Sequence, residues 1–209
     1  MLTVIGNLKG GTGKSTVAFN LAVWLAHDKT GVMAFDLDPQ CTLLDVCEVR
    51  VEDGYEPTFE VSTDLAELES MAADTKNKQP VIVDISASNM PAMEKAISLA
   101  DRILIPVQPS QADIWSTQRF LKIVNNSIDK QKKPEILGFI NRADTHIGVR
   151  ETGEAEQALQ MLPGIKAMDI RLHQRTAYRR SFSEGLGVFE LDPMGKASKE
   201  MKKLATLLD

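Results

Sequence analysis

Residues 9 to 16 read Lys9-Gly10-Gly11-Thr12-Gly13-Lys14-Ser15-Thr16, and they lie between two segments of different periodicity. Ahead of them, Leu2-Thr3-Val4-Ile5 is a short apolar run suited to a buried strand. Behind them, Val17 to Leu25 carries its apolar residues at helical spacing. A glycine-rich loop between a strand and a helix is a phosphate cradle. Its glycines let backbone N–H groups turn around an anion, and the helix N-terminus adds the positive end of its dipole. At this spacing Lys14 reaches the β- and γ-phosphates of a nucleotide, and the Ser15 hydroxyl ligates Mg²⁺. The general phosphate-loop pattern has a glycine five residues before Gly13. Leu8 stands there instead, and a second lysine, Lys9, opens the loop.

The rest of the chain alternates strand and helix. Apolar runs at 32–35, 81–83, 103–105 and 136–140 read as strands, and 59–61 and 167–170 as shorter ones. Helical spacing covers 65–74, 91–99, 113–126, 151–162, 176–183 and 196–208. Residues 48 to 58, rich in acidic and turn residues, read as an exposed connection. Short, wholly apolar strands alternating with amphipathic helices predict an α/β fold: a mostly parallel, twisted sheet with helices on both faces. The 209 residues, 43% of them hydrophobic, suit a single domain over 1–209. Ligands of such sheets bind beyond the carboxyl ends of the strands. Lys9, Asp36, Asp84 and Asn141 all fall there, which points to one shared site.

Several motifs together resemble the ParA/MinD family of ATPases. The form K-G-G-x-G-K-[ST]-[ST] is similar to that family's deviant Walker A loop, in which the extra lysine, here Lys9, reaches across a dimer interface to the partner's nucleotide. Asp36-Leu37-Asp38-Pro39-Gln40 resembles its first switch segment. The resemblance implies that Asp38 polarises the attacking water and that Asp36 serves the magnesium water shell or supports the loop. Without the resemblance, the same residues read as an Asx turn capping the next helix. Cys41 stands where the family often has glycine. Val81-Ile82-Val83-Asp84 resembles a Walker B strand whose aspartate holds Mg²⁺ through water. The residues after it, Ile85 to Asn89, depart from the family pattern. Pro106 to Asp113 is similar to the family's P-V-x-P-S-x-x-D stretch at the dimer face, or is simple loop chemistry from two prolines. Asn141-Arg142 resembles the family's strand end with an adenine-contacting asparagine, or is a simple strand-end turn. The implied cofactors are ATP and Mg²⁺. Gly10, Gly11, Thr12, Gly13, Lys14, Ser15, Thr16, Asn141 and Arg142 are implied for the nucleotide, and Ser15, Asp36 and Asp84 for the metal.

Net charge is −5, which excludes a generally basic, charge-driven nucleic-acid coat. Against that background Arg171, Arg175, Arg179 and Arg180 crowd one stretch, with lysines following in the last helix. Taken alone this reads as a solvated face with Glu184, Glu190 and Glu200 nearby to pair. Gln174 to Tyr178 and Gly185 to Glu190 resemble the carboxyl-terminal region of short, ParF-like plasmid partition members of the family. That likeness implies non-specific DNA contact by Arg175, Arg179, Arg180 and Lys203. It implies an ATP-dependent homodimer, a small centromere-binding partner protein that stimulates hydrolysis, and a cytoplasmic, nucleoid-associated ATP state. The alternative is an ATPase of the same core that positions a protein cargo or acts at a membrane. The final helix lacks bulky aromatic anchors, so a membrane is not the expected partner. Cys41 and Cys47 form no disulfide framework or metal motif.

Overall fold

The computed structural model describes residues 1–28, 31–74, 76, 78–129, 132–146 and 149–208. In chain order, β1 (Leu2–Ile5) leads through the glycine-rich loop to α1 (Lys14–Ala26), and β2 (Met33–Asp36) to α2 (Thr42–Glu52). Then come β3 (Glu60–Ser62), α3 (Leu65–Ala73), β4 (Val81–Asp84) and α4 (Met90–Leu99). β5 (Arg102–Val107), α5 (Gln111–Ser127), β6 (Glu135–Ala143), α6 (Glu151–Gln160) and β7 (Lys166–His173) follow. α7 (Thr176–Ser183), α8 (Val188–Leu191) and α9 (Lys196–Leu208) close the chain. The seven strands form one sheet in the order β3-β2-β4-β1-β5-β6-β7, with every described pair parallel.

Side-chain alternation along each strand feeds two cores. Val4, Phe35, Val83 and Ile103 point to the face covered by α3, α4, α5 and α6, where Met93, Phe120 and Leu159 are buried. Ile5, Ala34, Ile82 and Leu104 point to the other face, where α1, α2, α8 and α9 add Phe19, Leu43, Phe189 and Met201. Burial on both faces explains why these strands read as unbroken apolar runs. Asp64 caps α3, its carboxylate accepting the Ala66 N–H at 2.8 Å.

The structure changes or adds to the sequence reading in three places. Residues 48–52 belong to α2 rather than to an exposed connection. The reason is Arg50, a charge that reads as solvent-facing but is 1% exposed. Its guanidinium grips both oxygens of Glu190 at 2.8 Å and donates to the Gly185 and Pro57 carbonyls at 3.0 and 2.9 Å. Gly185 sits so close that a Cβ there would lie 2.7 Å from the Arg50 nitrogen, at a φ of +64°. Second, β5 runs on through Pro106 and Val107. β1 pairs with β5 only as far as Ile5↔Leu104, and the Pro106 carbonyl faces that same side, toward Asn7. The missing proline N–H therefore falls beyond the paired register of β1 and β5, beside the Gly6–Asn7 stretch that leads into the loop. Third, α8 is a single turn that periodicity does not resolve.

Candidate nucleotide site

The loop's conformation is set from outside by side-chain amides. Gln108, after β5, donates Nε2–H to the Gly11 carbonyl at 2.6 Å. Asn141, near the end of β6, donates Nδ2–H to the Thr12 carbonyl at 2.7 Å. Holding these carbonyls outward turns the adjoining N–H groups toward the loop's interior, the arrangement an anion requires. Gly13 has φ +88°, and a Cβ there would lie 2.4 Å from Asn141 Nδ2, so only glycine admits this contact. Lys14 is largely buried, its ammonium 3.5 Å from the Lys9 carbonyl.

Beneath the loop, the β2–β4 register sets Asp36 beside Asp84. Asp84 is 0% exposed, and neither oxygen has a hydrogen-bond partner among the described residues. Burial pushes its carboxyl up to about 7, against the pull of the neighbouring Ser15 hydroxyl and Lys14 ammonium. A buried, unpartnered carboxylate next to a hydroxyl at a phosphate loop is the donor set that Mg²⁺ takes, so these residues fit the ion. Asp36 differs. Its oxygens accept the N–H groups of Asp38 (3.1 Å), Leu43 (2.8 Å) and Leu44 (3.0 Å). It caps α2 from the strand, the Asx-type alternative that the sequence left open, and burial raises its pKa against those three bonds.

This remote cap explains Cys41. The residue lies at φ 51°, ψ 30°, in the left-handed region, and gives α2 no side-chain cap. The backbone there favours glycine. Cys41→Gly is therefore expected to be neutral or to raise stability by up to about 1 kcal/mol, read from a urea unfolding midpoint. A loss of more than that would mean the thiol contributes packing of its own. Cys47 is buried, its thiol pushed up to about 12, and is inert.

Asp38, half-buried, lines a cavity of about 270 Å³ with Lys14, Ser15, Thr16, Thr42, Ser86 and Ser88. Its carboxylate accepts the Gln40 N–H at 3.1 Å. Ser86 Oγ accepts the Ser88 N–H at 3.2 Å, so the segment after Asp84 forms its own turn facing the same cavity. Lys9, at the loop's mouth, bonds through Nζ to Asp113 at 2.5 Å. Asp113 is buried, also accepts from the Ser110 hydroxyl, and leaves its other oxygen without a partner among the described residues. On the same helix Trp115 is 54% exposed.

A second cleft of about 170 Å³ opens on the other side of the loop, between Gly13, Thr16, Asn141, Arg142, Gln174, Arg175, Tyr178 and Arg179. Arg142, at φ 56° in a bulged part of β6, borders both cavities. The two basic residues Arg175 and Arg179 thus line this second cleft beside the loop. Arg175 is engaged by Glu200 of α9 at 2.6 Å, which also bonds His173 at 2.8 Å. Arg180 pairs with Glu184 at 2.8 Å, and Lys203 Nζ donates to the Asp169 carbonyl at 2.9 Å. Arg179 is exposed. Of the three carboxylates the sequence offered as possible partners, Glu184 and Glu200 pair with this cluster, while Glu190 pairs with Arg50 and His27 instead. Reading by sequence missed Gln108, because a single amide after a strand carries no pattern until its partner, here the Gly11 carbonyl, is known.

The family model described as the CobQ/CobB/MinD/ParA nucleotide binding domain matches residues 3–188. Maintenance of carboxysome distribution protein A of Halothiobacillus neapolitanus is 25% identical over 203 residues, covering 94% of this chain and 90% of its own. Protein ParA of Rhizobium radiobacter is 26% identical over 192 residues, covering 88% and 83%. Among solved structures, the septum site-determining protein MinD of Pyrococcus horikoshii, complexed with Mg-ADP, superposes with a TM-score of 0.70. It is 20% identical and covers 99% of this chain and 95% of its own. No described helix is long and apolar enough to cross a membrane.

Proposed function

Because the chain belongs to the CobQ/CobB/MinD/ParA nucleotide-binding family, we propose that it is an ATPase whose Mg-ATP form pairs two copies, binds DNA without sequence preference, and is released when a partner protein stimulates hydrolysis. The observation that carries the reading is Asp84, a buried carboxylate with both oxygens unpartnered among the described residues, beside Ser15 and Lys14. In this reading the loop N–H groups of Gly10 to Thr16 and the Lys14 ammonium bind the phosphates. Ser15 and Asp84 hold Mg²⁺, with Asp36 behind them. The ion supplies positive charge to the β- and γ-phosphate oxygens. Asp38 orients and polarises the attacking water. Asn141 and Arg142 flank the base, and Lys9 leaves Asp113 to reach the phosphates bound by the second copy. The Mg-ADP of the Pyrococcus protein supports the cofactor assignment.

The cargo is proposed to be DNA, through a small centromere-binding protein. A second reading, positioning of a protein assembly by the same cycle, is favoured by the name of the Halothiobacillus relative. Sedimentation and DNA-shift assays with Mg-ATP, Mg-ADP and no nucleotide test the switch. Pairing and DNA retention are expected with ATP alone, and DNA binding indifferent to nucleotide would overturn it.

Arg175, Arg179, Arg180 and Lys203 are proposed as the DNA contacts, Arg179 foremost because it is exposed. Arg175 must part from Glu200 to take part. The double variant Arg175→Ala, Arg179→Ala is expected to weaken DNA binding and to reduce the slope of log affinity against log salt by about 1.8, or about 0.9 for each phosphate that is no longer neutralised. ATP affinity should stay the same. Loss of ATP affinity with the salt slope unchanged would assign both arginines to nucleotide binding through the cleft they line.

A further inference from the structure

Asn7 stands two residues past β1, is 0% exposed, and uses its side-chain amide completely. Nδ2 donates to the Pro106 carbonyl (3.1 Å) and to Thr117 Oγ1 (3.4 Å). Oδ1 accepts from Ser116 Oγ (3.3 Å) and from the backbone N–H of Lys9 (3.4 Å). An amide offers two donors and two acceptor positions, so a fully buried one with all four engaged fixes its surroundings in a single arrangement.

The four partners are not scattered. Ser116 and Thr117 lie on the second turn of α5, and the Thr117 hydroxyl donates to the Asp113 carbonyl at 2.9 Å. Asp113 in turn holds the Lys9 ammonium. Lys9 is therefore gripped at both ends from the start of α5, its N–H through Asn7 and its Nζ through Asp113. The groups of the loop that face phosphate, from Gly11 to Ser15, receive no bond from Asn7, and the one link back to Lys9 among the described bonds is a long one, the Lys14 ammonium 3.5 Å from the Lys9 carbonyl. Their outer supports are Gln108 and Asn141.

From this division we infer that Asn7 is a positioning residue for Lys9: it fixes where Lys9 stands relative to α5, and so governs ATP-dependent pairing separately from nucleotide binding by one subunit. The inference rests on the reading of Lys9 as the group that reaches a second copy.

Two variants test it from opposite sides of the network. Asn7→Ala removes all four bonds, and Thr117→Val removes one acceptor from the helix. Mg-ADP affinity reports the single subunit, and self-association in saturating Mg-ATP, followed by sedimentation, reports pairing. Expected for Asn7→Ala are an ADP affinity within about threefold of wild type and a self-association constant weakened at least about tenfold. Thr117→Val should move pairing in the same direction by a smaller factor. A parallel loss of ADP affinity and pairing would overturn the inference, making Asn7 a general support of the loop, and so would unchanged pairing. If Asn7→Ala fails to fold, Thr117→Val decides by the same criteria. A wild type that stays monomeric in Mg-ATP removes the pairing reading itself, and this inference with it.

Discussion

Asp38→Ala is expected to bind Mg-ATP with little change while hydrolysing it about 10²–10⁴ times more slowly. That is the range a positioned acid–base group supplies. The expectation follows from place and anchoring together. Asp38 lines the cavity in front of Lys14 and Ser15, and is held there by a two-step anchor. Its own N–H is bound by the buried Asp36 carboxylate, and its side chain is turned by the Gln40 N–H. Neither anchor touches the phosphate-binding groups, so removal of the carboxylate should separate turnover from binding. Phosphate release at saturating Mg-ATP, set against equilibrium nucleotide affinity, measures the two quantities. Turnover within about threefold of wild type would move the water-positioning role away from Asp38. Affinity and turnover falling together would mean that the segment 36–40 shapes the phosphate site itself.

The second large effect concerns the fold. Glu190→Ala is expected to cost about 3–5 kcal/mol of unfolding free energy, because it leaves the guanidinium of Arg50 buried without its counter-charge. Three helices meet at this pair. Arg50 belongs to α2, Glu190 to α8, His27 to the end of α1, and the Gly187 N–H at the start of α8 donates to Glu190 at 2.7 Å. Burial alone would raise the Glu190 carboxyl, but Arg50, His27 and the Gly187 N–H outweigh it and hold the group below the ordinary glutamate range. A carboxyl depressed in the folded state contributes stability that is present above its unfolded value and is lost as pH falls through the folded one. Wild type should therefore lose this stability toward acid, and Glu190→Ala should show a flatter acid limb. Replacing both partners with apolar residues of similar size, Arg50→Met with Glu190→Leu, should recover most of the loss. Urea unfolding at neutral and acid pH checks all three statements, and a loss under about 1 kcal/mol in the single variant would show the pair to be ornamental.

The same pair marks where sequence stops being informative. The strands flanking the site were legible because burial on both faces keeps them mostly apolar, with the polar residues near their carboxyl ends apart from Thr3, and the phosphate loop because its glycines and lysines have fixed spacing. The convergence of Asp36 and Asp84 was legible as two strand ends, and the sheet register places them side by side. What periodicity cannot convey is a charge satisfied at long range. Arg50 lies 140 residues from Glu190, so the segment around it looks like a solvated turn although it is a helix. Asn7 and Gln108 fail for a related reason. A single amide after a strand carries no pattern, and its role emerges only when its partners, about a hundred residues away, are known. Pro106 misled by a general rule that holds only where a neighbouring strand needs the missing N–H.

The chain contains two tryptophans, and the fold puts them in unlike surroundings. Trp24 packs edge-on against Phe189 with ring centroids 5.4 Å apart. Trp115 stands in the open on α5, two residues from the carboxylate that holds Lys9. The molecule thus carries its own optical gauge. Emission from a water-exposed indole lies to the red of that from a packed one, so a Trp24→Phe protein would glow from the α5 rim alone. A blue shift of that emission with Mg-ATP, absent with Mg-ADP, would record in real time the moment another surface covers the helix beside the loop.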